Sequence, residues 1–417
     1  MKAESAASGL RSILVATAIA GVFGYAIQLL APRMLQDGSS YVAFSVFWSA
    51  LYLGVSAMSG VQQEVARAAH PASGEPPTAV LRTFTLWAGL VVVCVSVIVA
   101  VWFGGALLQA GVPSVAAIFS VGLVGYLANA VLSGVLYGLR LWTPVAALIV
   151  IDVVIRAALT ITGFAAQLPT AVLALFVAIP FGASFGIVWL WVRRRVIGAF
   201  RLDVSLSRLS AHVVGTVGAA AASGVMITGL PMLIGVIAAD EPAAVTGALI
   251  LAITLTRAPI VIPVIALQSF LISAVFRGGR VLPGRLMRIL GLALVAVAAL
   301  AALGWLIGPP LITWVSGGRF SVDGWMAATI VASAGLVAAM CVTGPALIAA
   351  RRHLANAVGW AVAAAVTILA LALPGDIELR VGTALLVAPL IGLLLQAGAL
   401  LRRAGDPVAA NPPGPVG

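Results

Sequence analysis

Apolar positions dominate the chain in twelve long runs separated by short polar stretches. Six runs fall at about 11 to 31, 41 to 60, 83 to 103, 114 to 137, 143 to 166 and 170 to 192. After a polar stretch at 193 to 211, six more fall at about 213 to 238, 243 to 276, 289 to 308, 324 to 348, 354 to 374 and 381 to 401. A hydrocarbon core about 30 Å thick is crossed by about 20 helical residues, so each run predicts one membrane-spanning α-helix. The first run follows Lys2 and Arg11 as a signal peptide would, but its apolar stretch is too long for an ordinary leader. It is expected to be a retained span. The fold class expected is therefore all-α, a polytopic membrane protein of about twelve transmembrane helices.

Composition agrees with the pattern. Of 417 residues, 62% are hydrophobic and 8% charged, where soluble proteins carry about a quarter charged residues, and the mean hydropathy is +1.18. The net charge of +11 would suggest nucleic acid until the basic residues are placed. With the N-terminus inside, 18 of the 23 fall in cytoplasmic loops, only Arg33, Arg319 and Arg380 fall outside, and Arg156 and Arg257 lie within spans. The positive-inside rule then predicts both termini in the cytoplasm, some affinity for membrane lipids with anionic headgroups, and no nucleic-acid partner.

Several chemistries are missing. Lys2 is the only lysine, so no phosphate-cradling Walker loop exists. No D-x-x-D pair is present to hold magnesium on a diphosphate. His70, His212 and His353 sit far apart in predicted cytoplasmic loops, and Cys94 and Cys341 are isolated in apolar runs, so no metal, cofactor or disulfide framework is expected. A membrane glycosyltransferase or polymerase would place acidic catalysts in a sizeable outer loop, whereas Asp37, Asp240 and Glu241 lie in short ones.

The basic stretch 193–211 divides the chain into an N-terminal lobe of six spans (1–192) and a C-terminal lobe of six (212–403), followed by a Pro- and Gly-rich disordered tail (404–417). Tyr41 through Gln63 can be laid over Gly247 through Gln268 at an offset of about 206 residues, as parallel repeats would require. The longest external loop runs from about Pro309 to Asp323, and the small residues around Gly21 and Gly24 are expected to permit close helix approach. Trp48, Trp142, Trp191, Trp305, Trp314 and Trp325 lie near predicted span ends and read as interface anchors.

Three charges lie deep in spans. Asp152 and Arg156 are four residues apart on one face of the fifth span. They form either an ion pair that orders the helix or a site in which Arg156 meets an anionic substrate and Asp152 takes a coupling ion. Arg257 sits mid-span in Thr254-Leu-Thr-Arg-Ala-Pro-Ile-Val-Ile-Pro, and no acidic residue shares its run. Pro259 and Pro263 each remove a backbone donor, and guanidinium binds phosphate oxygens bidentately. The alternative is a structural partnership with Asp152.

In layout the chain resembles the bacterial polysaccharide flippases of the Wzx type, within the multidrug, oligosaccharidyl-lipid and polysaccharide (MOP) exporter superfamily. The stretches that carry the likeness are Tyr41-Val-Ala-Phe-Ser-Val-Phe-Trp, Ser59-Gly-Val-Gln-Gln-Glu-Val-Ala-Arg67, Gly134-Val-Leu-Tyr-Gly-Leu-Arg140 and Gly247 through Pro259. The resemblance implies two six-helix lobes that enclose a central cavity with cationic residues and rock to expose it to each side in turn. It matches Arg257 to an eighth-span cation facing a lipid diphosphate, makes Arg156 particular to this chain, and finds no second-span cation. Twelve spans, without the two more that lipid II flippases often carry, favour the polysaccharide branch. The expected function is translocation, without enzymatic chemistry, of a polyprenyl-diphosphate-linked oligosaccharide across a bacterial plasma membrane, for cell-surface polysaccharide assembly. Substrate-binding roles fall to Arg257 and Arg156 and ion coupling to Asp152, with a polysaccharide polymerase or glycosyltransferases as partners. The rival readings are an ion-coupled drug or metabolite antiporter of the same superfamily and a membrane glycosyltransferase or polymerase.

Overall fold

The structure is a computed structural model that describes residues 6–72, 79–108, 111–277, 280, 281 and 283–404. Lys2, the Pro76-Pro77 pair and the expected tail beyond Ala404 lie outside the described residues. In chain order the elements are α1 (Ala6–Met34), α2 (Gly38–Ala68), β1 (Ala69–Pro71), α3 (Ala79–Leu108), α4 (Val112–Gly138), α5 (Trp142–Ala165), α6 (Thr170–Val196), β2 (Phe200–Leu202), α7 (Leu206–Ile227) and α8 (Leu230–Ile237). They continue with α9 (Ala243–Val275), β3 (Phe276–Arg277), β4 (Arg280–Val281), α10 (Pro283–Ser316), α11 (Gly324–Ala349), α12 (His353–Ala372) and α13 (Ile377–Ala404). Twelve of the described helices, all but α8, contain a stretch long and apolar enough to cross a membrane. Leu86, Trp87, Val91 and Trp102 of α3 and Leu292, Val295 and Leu306 of α10 stand more than half exposed. Such continuous apolar surface is the signature of lipid contact. The protein is a multi-pass membrane protein of all-α fold, consistent with a bacterial plasma membrane.

Two expectations are corrected. The run 213–238 is not one helix: it breaks at Thr228 and Gly229, where α7 ends and α8 begins with Pro231 in its first turn. Pro231 lacks the N–H that a continuous helix would need there. The loop expected from Pro309 is shorter than that, because α10 continues through Pro309 and Pro310 to Ser316. Pro309 frees the carbonyl of Trp305 four residues earlier, and α11 starts against that oxygen at Gly324, where even a Cβ would lie 2.9 Å from it.

The chain divides into two compact units: Met1–Ile250 with Val315–Phe320, and Leu251–Trp314 with Ser321–Gly417. The first is organised around α2, whose Tyr41, Phe44, Phe47 and Leu51 are completely buried. Glycines set its closest helix approaches: a Cβ on Gly60 would lie 2.6 Å from the Val217 amide nitrogen of α7, and one on Gly125 of α4 would lie 2.7 Å from that of Gly182 in α6. Packing through small residues is how helices associate where water supplies no driving force. Gly21 and Gly24 do not serve this purpose, since a Cβ at either meets nothing within 4 Å. At one end of this unit β1 pairs antiparallel with β2, Ala69 opposite Leu202 and Pro71 opposite Phe200.

The second unit packs α11 and α12 on α13. The buried Gln396 of α13 accepts a hydrogen bond from the Thr343 hydroxyl at 2.5 Å, and Gly359 of α12 leaves room for its side chain. Shifting α2 by the repeat offset brings its ends onto those of α9, and each helix runs directly into a short strand.

Candidate functional site

Arg156 is the largest completely buried side chain among the described residues, 2% exposed. Its surroundings are built from three helices. Along α5 the four-residue spacing brings Asp152 within 2.6 Å of one terminal nitrogen. From α2 the Tyr52 hydroxyl accepts from the other terminal nitrogen. In α6, which carries Pro180, the Arg156 Nε–H donates to the carbonyl of Val177, three residues before the proline, at 3.2 Å. The Phe181 ring lies under the guanidinium, 4.2 Å from ring centroid to Cζ, adding a cation–π contact.

Aromatic rings extend the site. Tyr52 stacks on Trp48 at 5.0 Å and 8°, and Tyr126 meets Phe181 edge-on at 5.0 Å. Asn129 of α4 donates to the Phe181 carbonyl and to the Ser184 hydroxyl, each at 3.0 Å, which fixes α6 next to its proline. Asp152 is the more open member of the ion pair, its side chain 15% exposed. The arrangement is a guanidinium clamped by neutral groups on two sides and by one partly accessible carboxylate on the third. A proton can act on it by neutralising the Asp152 carboxylate, and an anion by competing with that carboxylate for the guanidinium.

On its other face α2 meets the α7–α8 break. The Ser49 hydroxyl donates to the Thr228 carbonyl at 2.5 Å and accepts the Met232 N–H at 3.0 Å, satisfying groups that the interruption exposes. Tyr52 and Ser49 were not singled out from the sequence. The signal was present: Ser45, Ser49, Tyr52, Ser56 and Ser59 recur every three or four residues in an otherwise apolar run. Trp48, expected at an interface, is instead half-buried between Phe44 and Tyr52.

Arg257 lies in the second unit, on α9. It is 6% exposed, and one of its terminal nitrogens donates to the hydroxyl of the fully buried Ser333 on α11 at 3.3 Å. The structure thus brings Asp152 and Arg156 together in the first unit and seats Arg257 beside α11 in the second.

No protein-family model matches the sequence. Among curated proteins, the uncharacterized protein Rv1510 of Mycobacterium tuberculosis is 33% identical over 411 residues, covering 93% of this chain and 90% of its own. The uncharacterized protein Mb3654 of Mycobacterium bovis is 32% identical over 416 residues, covering 95% and 93%. Among solved structures, an inward-facing multidrug resistance MATE family transporter of the MOP superfamily superposes with TM-score 0.63 at 13% identity, over 94% of this chain and 99% of that one. The lipid II flippase MurJ in an inward closed conformation gives 0.59 at 11% identity, over 94% and 89%. At these identities the likeness is one of fold: the chain shares the fold of these two transporters.

Proposed function

We propose, from the premise that this chain belongs to the family of the mycobacterial proteins Rv1510 and Mb3654, that it is a transporter translocating a polyprenyl-diphosphate-linked oligosaccharide across the plasma membrane. The observation that carries the reading is the charge inside the spans. Arg156 and Arg257 are both buried at depth, and Asp152 is the one acidic residue set deep in a run. An intramembrane charge is costly enough to mark a substrate or ion pathway by default, and a surplus of guanidinium favours an anionic amphiphile over a cationic drug. Diphosphate oxygens match the forked donors of arginine, and the aromatic surround of Arg156 suits a ligand with apolar and sugar parts. In this reading Arg257 and Arg156 bind the diphosphate, Asp152 couples translocation to an ion gradient, and both termini lie in the cytoplasm. Glycosyltransferases supply the substrate on one side and a polysaccharide polymerase consumes it on the other. The MATE and MurJ folds support the coarser part, a membrane transporter or flippase.

The test is the amount of polyprenyl-linked oligosaccharide left on the cytoplasmic leaflet after depletion of the protein. Accumulation is expected, reversed by wild type and not by Arg257→Ala at equal membrane abundance. Equal rescue by both proteins removes Arg257 from the site, and an unchanged leaflet removes the lipid-linked substrate.

A second reading, an ion-coupled drug or metabolite antiporter, is favoured by one observation: Asp152 is a partly accessible carboxylate paired with Arg156, whose guanidinium meets Tyr52 and Phe181. It predicts that Asp152→Asn abolishes gradient-driven efflux of a cationic dye while leaflet lipids stay unchanged.

A further inference from the structure

The segment Val315–Phe320 packs within the first unit, although the residues through Trp314 and from Ser321 belong to the second. It is a closed loop with two anchors. Ser316, fully buried, donates its hydroxyl proton to the Phe320 carbonyl at 3.3 Å and accepts the Phe320 N–H at 3.1 Å. Gly317 and Gly318 make the turn at φ of +64° and +85°, a region that other residues rarely adopt. The first anchor is Arg319, one of whose terminal nitrogens donates to the carbonyls of Pro32 and Leu35 at 3.3 and 2.5 Å. These oxygens stand at the end of α1, where helical carbonyls lack intrahelical donors. The second anchor is Phe320, 2% exposed, its ring 5.2 Å from that of Tyr41. It fills a notch that glycine makes: a Cβ on Gly247 would lie 2.5 Å from the ring, and one on Gly38 would lie 3.5 Å away.

Both anchors are single side chains on non-covalent contacts, and an open cavity of about 480 Å³ adjoins them, lined by Asp37, Ser39, Ala243, Ala244, Arg319 and Phe320. The chain passes from this segment directly into α10 on one side and toward α11 on the other. Any displacement of that connection relative to α1 and α2 must either be stopped by the two anchors or pull them out.

We propose that Val315–Phe320 is a reversible latch. Seated, it holds the α10–α11 connection to the ends of α1, α2 and α9; in the transport cycle Phe320 leaves its notch, Arg319 leaves the α1 carbonyls, and the connection is freed. The role in transport rests on the transporter reading, but the latch itself is testable without a substrate. Cys94→Ser and Cys341→Ala give a background free of native thiols, into which Ser316→Cys is introduced. The protein, in lipid nanodiscs, is then exposed to a water-soluble maleimide.

A latch that opens gives slow labelling of the buried thiol, faster by about tenfold or more when Phe320→Ala removes the ring's burial. Arg319→Gln, which opens no core cavity, gives a smaller acceleration. A thiol that is unreactive in all three proteins means that the segment stays shut, and equal rates in all three mean that neither anchor holds it; either result overturns the latch. Because the readout is thiol exposure, a failed flipping assay with graded labelling would sink the substrate assignment and leave the latch standing.

Discussion

Arg156 has hydrogen-bond partners on α2, α5 and α6, so truncating it strips a donor from each helix at once. Arg156→Ala leaves the Asp152 carboxylate without its ion-pair partner and the Val177 carbonyl without its side-chain donor, and should cost about 3 kcal/mol or more. The uncharged pair Asp152→Asn with Arg156→Gln should recover part of that loss. The measurement is a thermal-unfolding cycle over the four proteins, and a coupling near zero would mean that the pair does not interact. The ion pair was legible in the sequence because four residues is one helical turn. That Tyr52 and Val177 meet Arg156 was not, because they come from α2 and α6, and only packing brings them near α5. Asp37 acts at the same scale. Its carboxylate accepts the Ser40 N–H at 2.7 Å and the Ser39 hydroxyl at 2.8 Å, capping α2. These bonds, the backbone one foremost, hold its pKa below the ordinary value of 3.8. A depressed folded-state value adds stability that is fully present above the unfolded value and disappears as pH falls through the lowered one. Asp37→Ala should therefore melt below wild type at neutral pH, by about 1 kcal/mol as for other caps, and the gap should close in acid below about pH 4.

For whole helices, length and apolarity sufficed to find the spans, since lipid leaves the backbone no alternative to internal hydrogen bonds. Continuity was harder to read. The α7–α8 break and the uninterrupted α10 both involve proline, yet one helix stops and the other continues. At the break, Ser49 from α2 satisfies an exposed donor and an exposed acceptor. In α10, Gly324 allows α11 to lie against the loosened carbonyl, and the Thr313 hydroxyl donates back to the Pro309 carbonyl at 3.0 Å. What decides between the two outcomes belongs to a neighbouring element, which no local window contains. Helix approach depends on neighbours in the same way. Gly125→Leu would drive a branched side chain into the backbone of α6 and should lower stability by about 1–3 kcal/mol, as overpacking does. Gly21→Leu, facing open space, should not. Melting of the two variants side by side checks this, and equal losses would mean that the α4–α6 contact is not the tight one.

At the level of the molecule, the expectation of a twelve-span all-α membrane protein holds, and the likeness in layout to the MOP superfamily matches the fold. The arginine-rich stretch at 193–211 stood out as a divider because charge and hydropathy change there. Contacts draw a different line. The boundary between the compact units falls between Ile250 and Leu251, inside α9, and the first unit recovers Val315–Phe320 from much later in the chain. Hydropathy has no means of marking such a line, because α9 is apolar on both sides of it. A gene cut at the basic stretch would consequently encode two fragments, the earlier of which lacks α7, α8, the start of α9 and the Phe320 plug. Neither product would contain the first unit whole, so any activity recovered by making both in one cell would report reassembly across the cut, with the later fragment completing the fold of the earlier.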